Sequence, residues 1–424
     1  MRPLLAELER SQYFPPERLR AEQWTRLARL LEHAYTHAPY YREQFKRQGL
    51  HPRDLRALDD LSALPPLTKE TVRDCPGDLL ADDVTGPLVE RRTSGSTGIP
   101  LVVSVYPHTR NAWSAAARRG HRWWGVDLGS RQIKLINPRG KSRRTKLKQQ
   151  WLMNRAEYSV FELDEPTLER LYREAVRFRC EVLAGYPSAL THFAHYAAER
   201  GLRQLRLRAI FSTAEVLYPD QRALLEQTFG CPVINEYGAS ECGFLAGECR
   251  EGRLHITAEN AVIEFEPLDG GDGEARGLLI TDLTNTAMPL IRYRVGDLGA
   301  PGEPCPCGRG LPVLDLRVGR TEDLVTLPDG RKVDGAIFGE TVEALITRGA
   351  AIKQFRAIQH DRGHIEVLVA TGDSDGRVAE DLTERLQAVL GRGMTITVRA
   401  VERIPVEPTG KLRRFVSHLD GRSS

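Results

Sequence analysis

No stretch of this 424-residue chain is apolar for long enough to cross a bilayer, so no membrane role is expected. The segment from Met1 to Phe14 mixes Arg2, Glu7, Glu9 and Arg10 among its leucines. It lacks the unbroken apolar core of a signal peptide, and the expectation is a cytoplasmic protein. Charge of one sign is scarce too: 60 Lys and Arg face 57 Asp and Glu, for a formal net charge of +3. That balance argues against nucleic acid as a partner. Cysteine is sparse, odd in number at seven and unevenly spread, which argues against a disulfide framework and toward reduced thiols or a metal. No internal repeat or low-complexity tract interrupts the pattern.

What is present is an ordinary globular composition, 41% hydrophobic and 28% charged, in a chain longer than one core usually organises. Two domains are expected. Residues 16 to 49 carry apolar positions at helical spacing (Leu19, Trp24, Leu27, Leu30, Leu31, Ala34), and Thr68 is placed to cap a short helix through Arg73. Further on, helices over 165–178 and 187–200 alternate with short strands at 181–184 and 207–211, the signature of parallel α/β layering. From Leu254 to Ile280 short strands separated by glycines predict a β-rich subdomain. After a boundary near Gly319, strands at 324–327, 364–369 and 395–401 with helices at 338–346 and 378–390 predict a compact α+β unit. The fold class is therefore α/β: a large domain over 1–318 with a β-rich subdomain, then a small mobile α+β domain over 319–424.

The first chemical feature is Thr93-Ser94-Gly95-Ser96-Thr97-Gly98, flanked by the extended stretches 88–92 and 101–105. Small residues in a turn can gather backbone N–H groups and hydroxyls around a phosphate. The segment lacks the Gly-Lys-Ser/Thr of a Walker A loop, and taken alone such a turn is more often a plain hairpin loop.

Several segments in order resemble the adenylate-forming superfamily of acyl-CoA synthetases, peptide-synthetase adenylation domains and luciferases. Residues 93–98 resemble its phosphate loop. Tyr237-Gly238-Ala239-Ser240-Glu241 resembles the element whose aromatic packs by adenine and whose glutamate helps hold magnesium. Tyr293 to Leu298 is similar to the element whose aspartate, Asp297 here, binds the ribose hydroxyls. Gly319-Arg320-Thr321-Glu322-Asp323 resembles the hinge between domains, and Pro408-Thr409-Gly410-Lys411 the loop that delivers the catalytic lysine. The run 289–294 and Cys305-Pro306-Cys307-Gly308-Arg309 are similar to the phenylacetate–CoA ligase branch and its capsule-biosynthesis-like relatives.

The resemblance implies an enzyme that uses ATP and Mg²⁺ to turn a small carboxylic acid, aromatic by analogy with the branch, into acyl-AMP. The acyl group then passes to CoA, or alternatively to an amine, a carrier protein or another nucleophile. Lys411, Glu241 and Thr97 are the implied catalytic residues. Residues 93–98, Thr213, Ala214, Glu215, Glu236, Tyr237, Gly238, Ser240, Asp297 and Arg320 would line the nucleotide. Tyr186, Pro187 and Ala239 would border the acid, and Glu322 or Asp323 would be the pivot. The residue chemistry agrees: attack of a carboxylate on the α-phosphorus crowds negative charge that Lys411 and Mg²⁺ on Glu241 can neutralise. The continuation 324–331 departs from the family's glycine-rich hinge. Cys249, His255, Cys305 and Cys307 form a Cys₃His set suited to structural Zn²⁺, with Cys242 as the rival fourth ligand. Separate thiols and a strand histidine are the alternative. The basic segment 139–148 reads as a solvated loop or a landing site for CoA phosphates or an acidic carrier protein. A non-catalytic, zinc-stabilised nucleotide-binding protein, monomeric or dimeric as the enzyme would be, is the rival from another class.

Overall fold

Proline and short polar caps set where the helices of this chain begin. Pro16, Pro39, Pro76, Pro107, Pro187 and Pro219 each open a helix, where a missing N–H costs nothing. Thr68 accepts the Thr71 N–H to cap Lys69–Asp74, and Asp164 accepts the Thr167 N–H to cap Glu165–Arg177. The computed structural model describes residues 2–92, 101–137, 154–268, 276–320, 324–371, 376–391, 393–402, 404–407 and 410–419, without the side chains of 317–320, 334, 336, 343 and 347. Among the described residues no helix is long and apolar enough to cross a membrane.

The chain forms two compact units. The first comprises Met1–Asp127, Ile234–Pro267 and Arg276–Leu316. Its strands lie side by side in the order Ala261–Glu266, Arg276–Asp282, Tyr293–Pro301, Val313–Arg320, Leu254–Ile256, Gly243–Glu248 and Val233–Ala239. This is the β-rich region the glycine spacing predicts. The helix Pro16–His37 turns Leu27, Leu30, Leu31 and Ala34 into the same core as Leu278, Ile280 and Tyr293. A polar anchor ties the first helix, Arg2–Ser11, to this unit. Arg119, fully buried, donates from Nη1 to the Leu8 carbonyl (3.1 Å) and to Glu259 Oε1 (2.6 Å), and Ser11 Oγ donates to the same carboxylate oxygen (2.5 Å).

The second unit comprises Leu128–Val233, Leu268–Ala275 and Arg317–Ser424. Ala209–Thr213, Val182–Gly185, Gln132–Ile136 and Arg155–Ser159 form parallel strands in that order, alternating with the helices Glu165–Arg177, Pro187–Glu199 and Pro219–Phe229. Gly185 is required here: a Cβ on it would meet the Leu135 carbonyl oxygen at 2.2 Å. The C-terminal part is a four-stranded sheet in the order Thr395–Val401, His364–Thr371, Ile352–Asp361, Phe415–Ser417, with the helices Ala336–Thr347 and Arg377–Leu390. The strands Ile352–Asp361 and Phe415–Ser417 are additions to the sequence-based expectation.

Candidate active site

In the first unit the strands Val233–Ala239 and Tyr293–Pro301 and the turn at Ser240–Cys242 supply two tyrosine–carboxylate pairs. Tyr237 Oη donates to Asp297 Oδ2 at 2.9 Å, and Tyr293 Oη donates to Glu241 Oε1 at 2.9 Å. All four side chains are buried, and burial with the nearby Glu241 charge pushes the Tyr293 hydroxyl well above its usual range. The turn is tight because Gly238 faces the Gly243 carbonyl, which a Cβ would meet at 2.6 Å. Arg91 Nε donates to the Ser240 carbonyl (3.2 Å). Glu236 is held by His121, Nε2 to Oε1 at 2.7 Å, a partner 115 residues distant that no local pattern announces. Glu241 offers the kind of carboxylate that Mg²⁺ shares with substrate phosphates.

In the second unit Glu215 follows the strand Ala209–Thr213. Its Oε2 accepts the Ser188 N–H (3.0 Å), and its Oε1 accepts the Ser188 hydroxyl (3.0 Å) and the Leu412 N–H (2.9 Å). Burial raises its pKa, while those bonds and the positive charge of Lys411 oppose the rise. Ala214 just before it sits at φ +72°, a left-handed conformation that costs a non-glycine residue on the order of 1 kcal/mol. Tyr186 and Pro187 open the helix Pro187–Glu199, with the Tyr186 N–H donating to the Leu135 carbonyl (3.2 Å).

The stretch carrying Lys411 is fixed within this unit. The Gly410 N–H donates to the Glu407 carbonyl (2.8 Å) and the Glu407 N–H to the Lys411 carbonyl (2.9 Å), with Gly410 at φ +81°. Three residues on from Lys411, Arg414 grips Asp220 through both guanidinium nitrogens (3.2 and 2.8 Å) and stacks 3.8 Å above the Tyr218 ring. An arginine so enclosed is not part of a solvated basic tail. Residues 93–98 with Thr97, Glu322, Asp323, the Arg320 side chain, Pro408, Thr409 and the basic segment 139–148 lie outside the described residues.

The Cys₃His set is gathered on the β-rich side of the first unit, its ligand atoms all within 4.8 Å of one another. Cys249 Sγ lies 3.6 Å from Cys305 Sγ, and Cys307 Sγ lies 3.3 Å from His255 Nε2. Ligands at zinc–sulfur and zinc–nitrogen distances of ~2.3 and ~2.0 Å stand roughly 3.5–3.8 Å apart in a tetrahedron, so these separations fit that ion. His255 Nδ1 donates to the Leu311 carbonyl (3.1 Å), leaving the Nε2 lone pair toward the thiols, and burial holds its pKa low. Trp123 sets its ring edge-on to His255 at 5.8 Å and carries the Arg309 guanidinium over its face at 4.3 Å. Cys242 lies apart from this set, buried in the main core of the unit.

Comparison with known proteins gives the same direction. The phenylacetate-coenzyme A ligase of Thermus thermophilus is 30% identical over 337 residues, spanning 74% of this chain and 73% of that enzyme. The chain belongs to the phenylacetate–CoA ligase family. It is an adenylate-forming ligase of the acid–CoA ligase kind. Protein CapK of Staphylococcus aureus is 25% identical over 392 residues, covering 90% of this chain and 85% of CapK, and residues 325–418 match the family model of the CapK C-terminal domain. Among solved structures, 2-hydroxyisobutyryl-CoA ligase in the postadenylation state with R3-HIB-AMP has a similar fold, with TM-score 0.78 and 19% identity over 96% of this chain and 91% of that one.

Proposed function

We propose that this ligase uses ATP and Mg²⁺ to convert a small carboxylic acid into acyl-AMP, with release of pyrophosphate, and then transfers the acyl group to CoA as a thioester. The observation that carries this reading is the fixed Lys411 stretch, with the adjoining Leu412 N–H bonded to Glu215 and Arg414 locked on Asp220. A lysine held by its own main chain is preorganised to neutralise charge that develops as the carboxylate attacks the α-phosphorus. In this reading Asp297, steadied by Tyr237, binds the ribose, and Glu241, steadied by Tyr293, contributes an oxygen to Mg²⁺. Residues 93–98 hold the phosphates with Thr97 at the reacting group. Thr213, Ala214, Glu215, Glu236, Gly238, Ser240 and Arg320 line the nucleotide, and Tyr186, Pro187 and Ala239 border the acid. Cys249, His255, Cys305 and Cys307 hold a structural zinc.

The division into 1–318 and 319–424, pivoting at Glu322 or Asp323, is supported by the family match that begins at residue 325. An aromatic acid is supported by the phenylacetate named in several relatives, and a cytoplasmic site of action by the cofactors the reaction consumes. ATP–pyrophosphate exchange with the full chain, across aryl, aliphatic and amino acids, tests the first half-reaction. Exchange that depends on one acid class establishes it, and no exchange with any acid from folded protein removes it. Adding CoA, then an amine or a phosphopantetheinyl carrier, identifies the acceptor by which one consumes the acyl-AMP.

A further inference from the structure

The helix Pro16–His37 ends on two histidines one turn apart, His33 and His37, with ring centroids 4.9 Å from each other. The turn at 81–83 is pinned across this helix end: the Asp82 N–H donates to the His37 carbonyl and the Ala81 N–H to the Ala287 carbonyl, both at 2.9 Å. Asp83 thereby faces both rings. Its Oδ1 is 3.8 Å from His33 Nε2 and its Oδ2 is 3.7 Å from His37 Nε2. All three residues present ligand atoms within 4.8 Å of one another. Separations of 3.7–3.8 Å are too long for hydrogen bonds, yet close to the spacing of ligands that share one ion: donors at ~2.1 Å from a metal stand roughly 3.0–3.4 Å apart.

Two further observations point to a cation here. His37 Nδ1 lies 2.8 Å from Asp82 Oδ1, the carboxylate–imidazole pairing that fixes the proton on Nδ1 and turns the Nε2 lone pair toward a metal. The site also sits at the carbonyl end of a 22-residue helix, where the macrodipole favours positive charge. The Thr286 carbonyl, 3.0 Å from His33 Nε2, faces the same point and accepts the ring proton when no ion is bound. On metal binding His33 shifts that proton from Nε2 to Nδ1, so the ring changes tautomer without losing charge balance.

We propose that His33, His37 and Asp83 form a second, solvent-accessible divalent transition-metal site, separate from the thiolate set. Two imidazoles and one carboxylate select zinc- or nickel-class ions over magnesium or calcium. The ion clamps the end of the helix to the 81–83 turn, with water or the Thr286 carbonyl completing its shell.

The test is Ni²⁺ titration by calorimetry of the full chain, dialysed into metal-free buffer so that only tightly held ions remain. The unaltered chain takes up one equivalent of Ni²⁺. His37→Ala and the isosteric Asp83→Asn each weaken uptake at least tenfold, and Asp82→Asn weakens it about tenfold by freeing the His37 tautomer. Retained zinc, measured by elemental analysis, stays the same in all variants because the thiolate set is untouched. Thermal unfolding without Ni²⁺ shows whether His37→Ala is folded; if it is not, Asp83→Asn decides alone. No uptake by the unaltered chain, or an isotherm for Asp83→Asn that matches it, overturns the proposal.

Discussion

Lys411 is the residue on which the proposed chemistry turns. Its replacement by alanine is expected to lower acyl-AMP formation about 10²–10³-fold, the scale of removing one preorganised group that meets developing charge. Thiolysis of supplied acyl-AMP should persist. Parallel assays of pyrophosphate release and of CoA thioester from acyl-AMP check this, and equal loss of both would sink the role. Asp282 is a different case, a buried carboxyl that accepts two bonds from Thr284 (2.9 and 2.7 Å) and has its pKa pushed by burial from 3.8 up to about 7. A folded-state pKa above the unfolded one means the native chain holds a proton that the unfolded chain has released. The stabilisation is therefore complete below pH 4 and is lost as pH rises toward 7. Asp282→Asn is expected to remove up to about 1.4 kcal/mol per pH unit of downward slope in unfolding free energy between pH 5 and 7, read from denaturant unfolding at several pH values.

At the scale of elements, local pattern located most helices and strands, because apolar spacing and caps are written in neighbouring residues. The strand Ile352–Asp361 escaped for a physical reason. Gln359, fully buried, occupies an inward position where alternation calls for an apolar side chain, and it earns that place by bonding both the N–H and the carbonyl of Thr326. Phe415–Ser417 is too short to carry a period at all. The site divided the same way. Tyr237, Glu241, Asp297 and Lys411 were visible as ordered motifs. The His121–Glu236 pair and the Leu412–Glu215 bond were not, since their partners lie 115 and 197 residues apart. The Arg414–Asp220 grip belongs to this scale too. Arg414→Ala is expected to reduce adenylation about tenfold while the thermal midpoint moves little, because it removes an anchor for the catalytic stretch and leaves the core of Phe338, Leu382 and Phe415 intact. Exchange kinetics beside a melting curve separate those effects.

For the whole molecule, the order of segments along the chain is not the order of its compact units. Residues 128–233 share a unit with 317–424, while the first 127 residues share theirs with 234–267 and 276–316. The thiolate cluster draws Cys249 and Cys305 together from 56 positions apart, and the zinc proposed for it would act as a staple on the first unit. Prolonged chelation is expected to release about one tightly held zinc per chain and lower the unfolding midpoint by several degrees, with Cys307→Ser giving the same midpoint without chelator. Elemental analysis with differential scanning calorimetry checks both.

The buried Arg119 has a consequence for how this chain can be produced. Leu8 fills a donor of this arginine and Ser11 bonds its partner Glu259, so removal of the first helix would strip hydrogen bonds from an interior ion pair. A chain trimmed of residues 2–11 would be several kcal/mol poorer in stability, marked for proteolysis rather than a slightly shorter ligase.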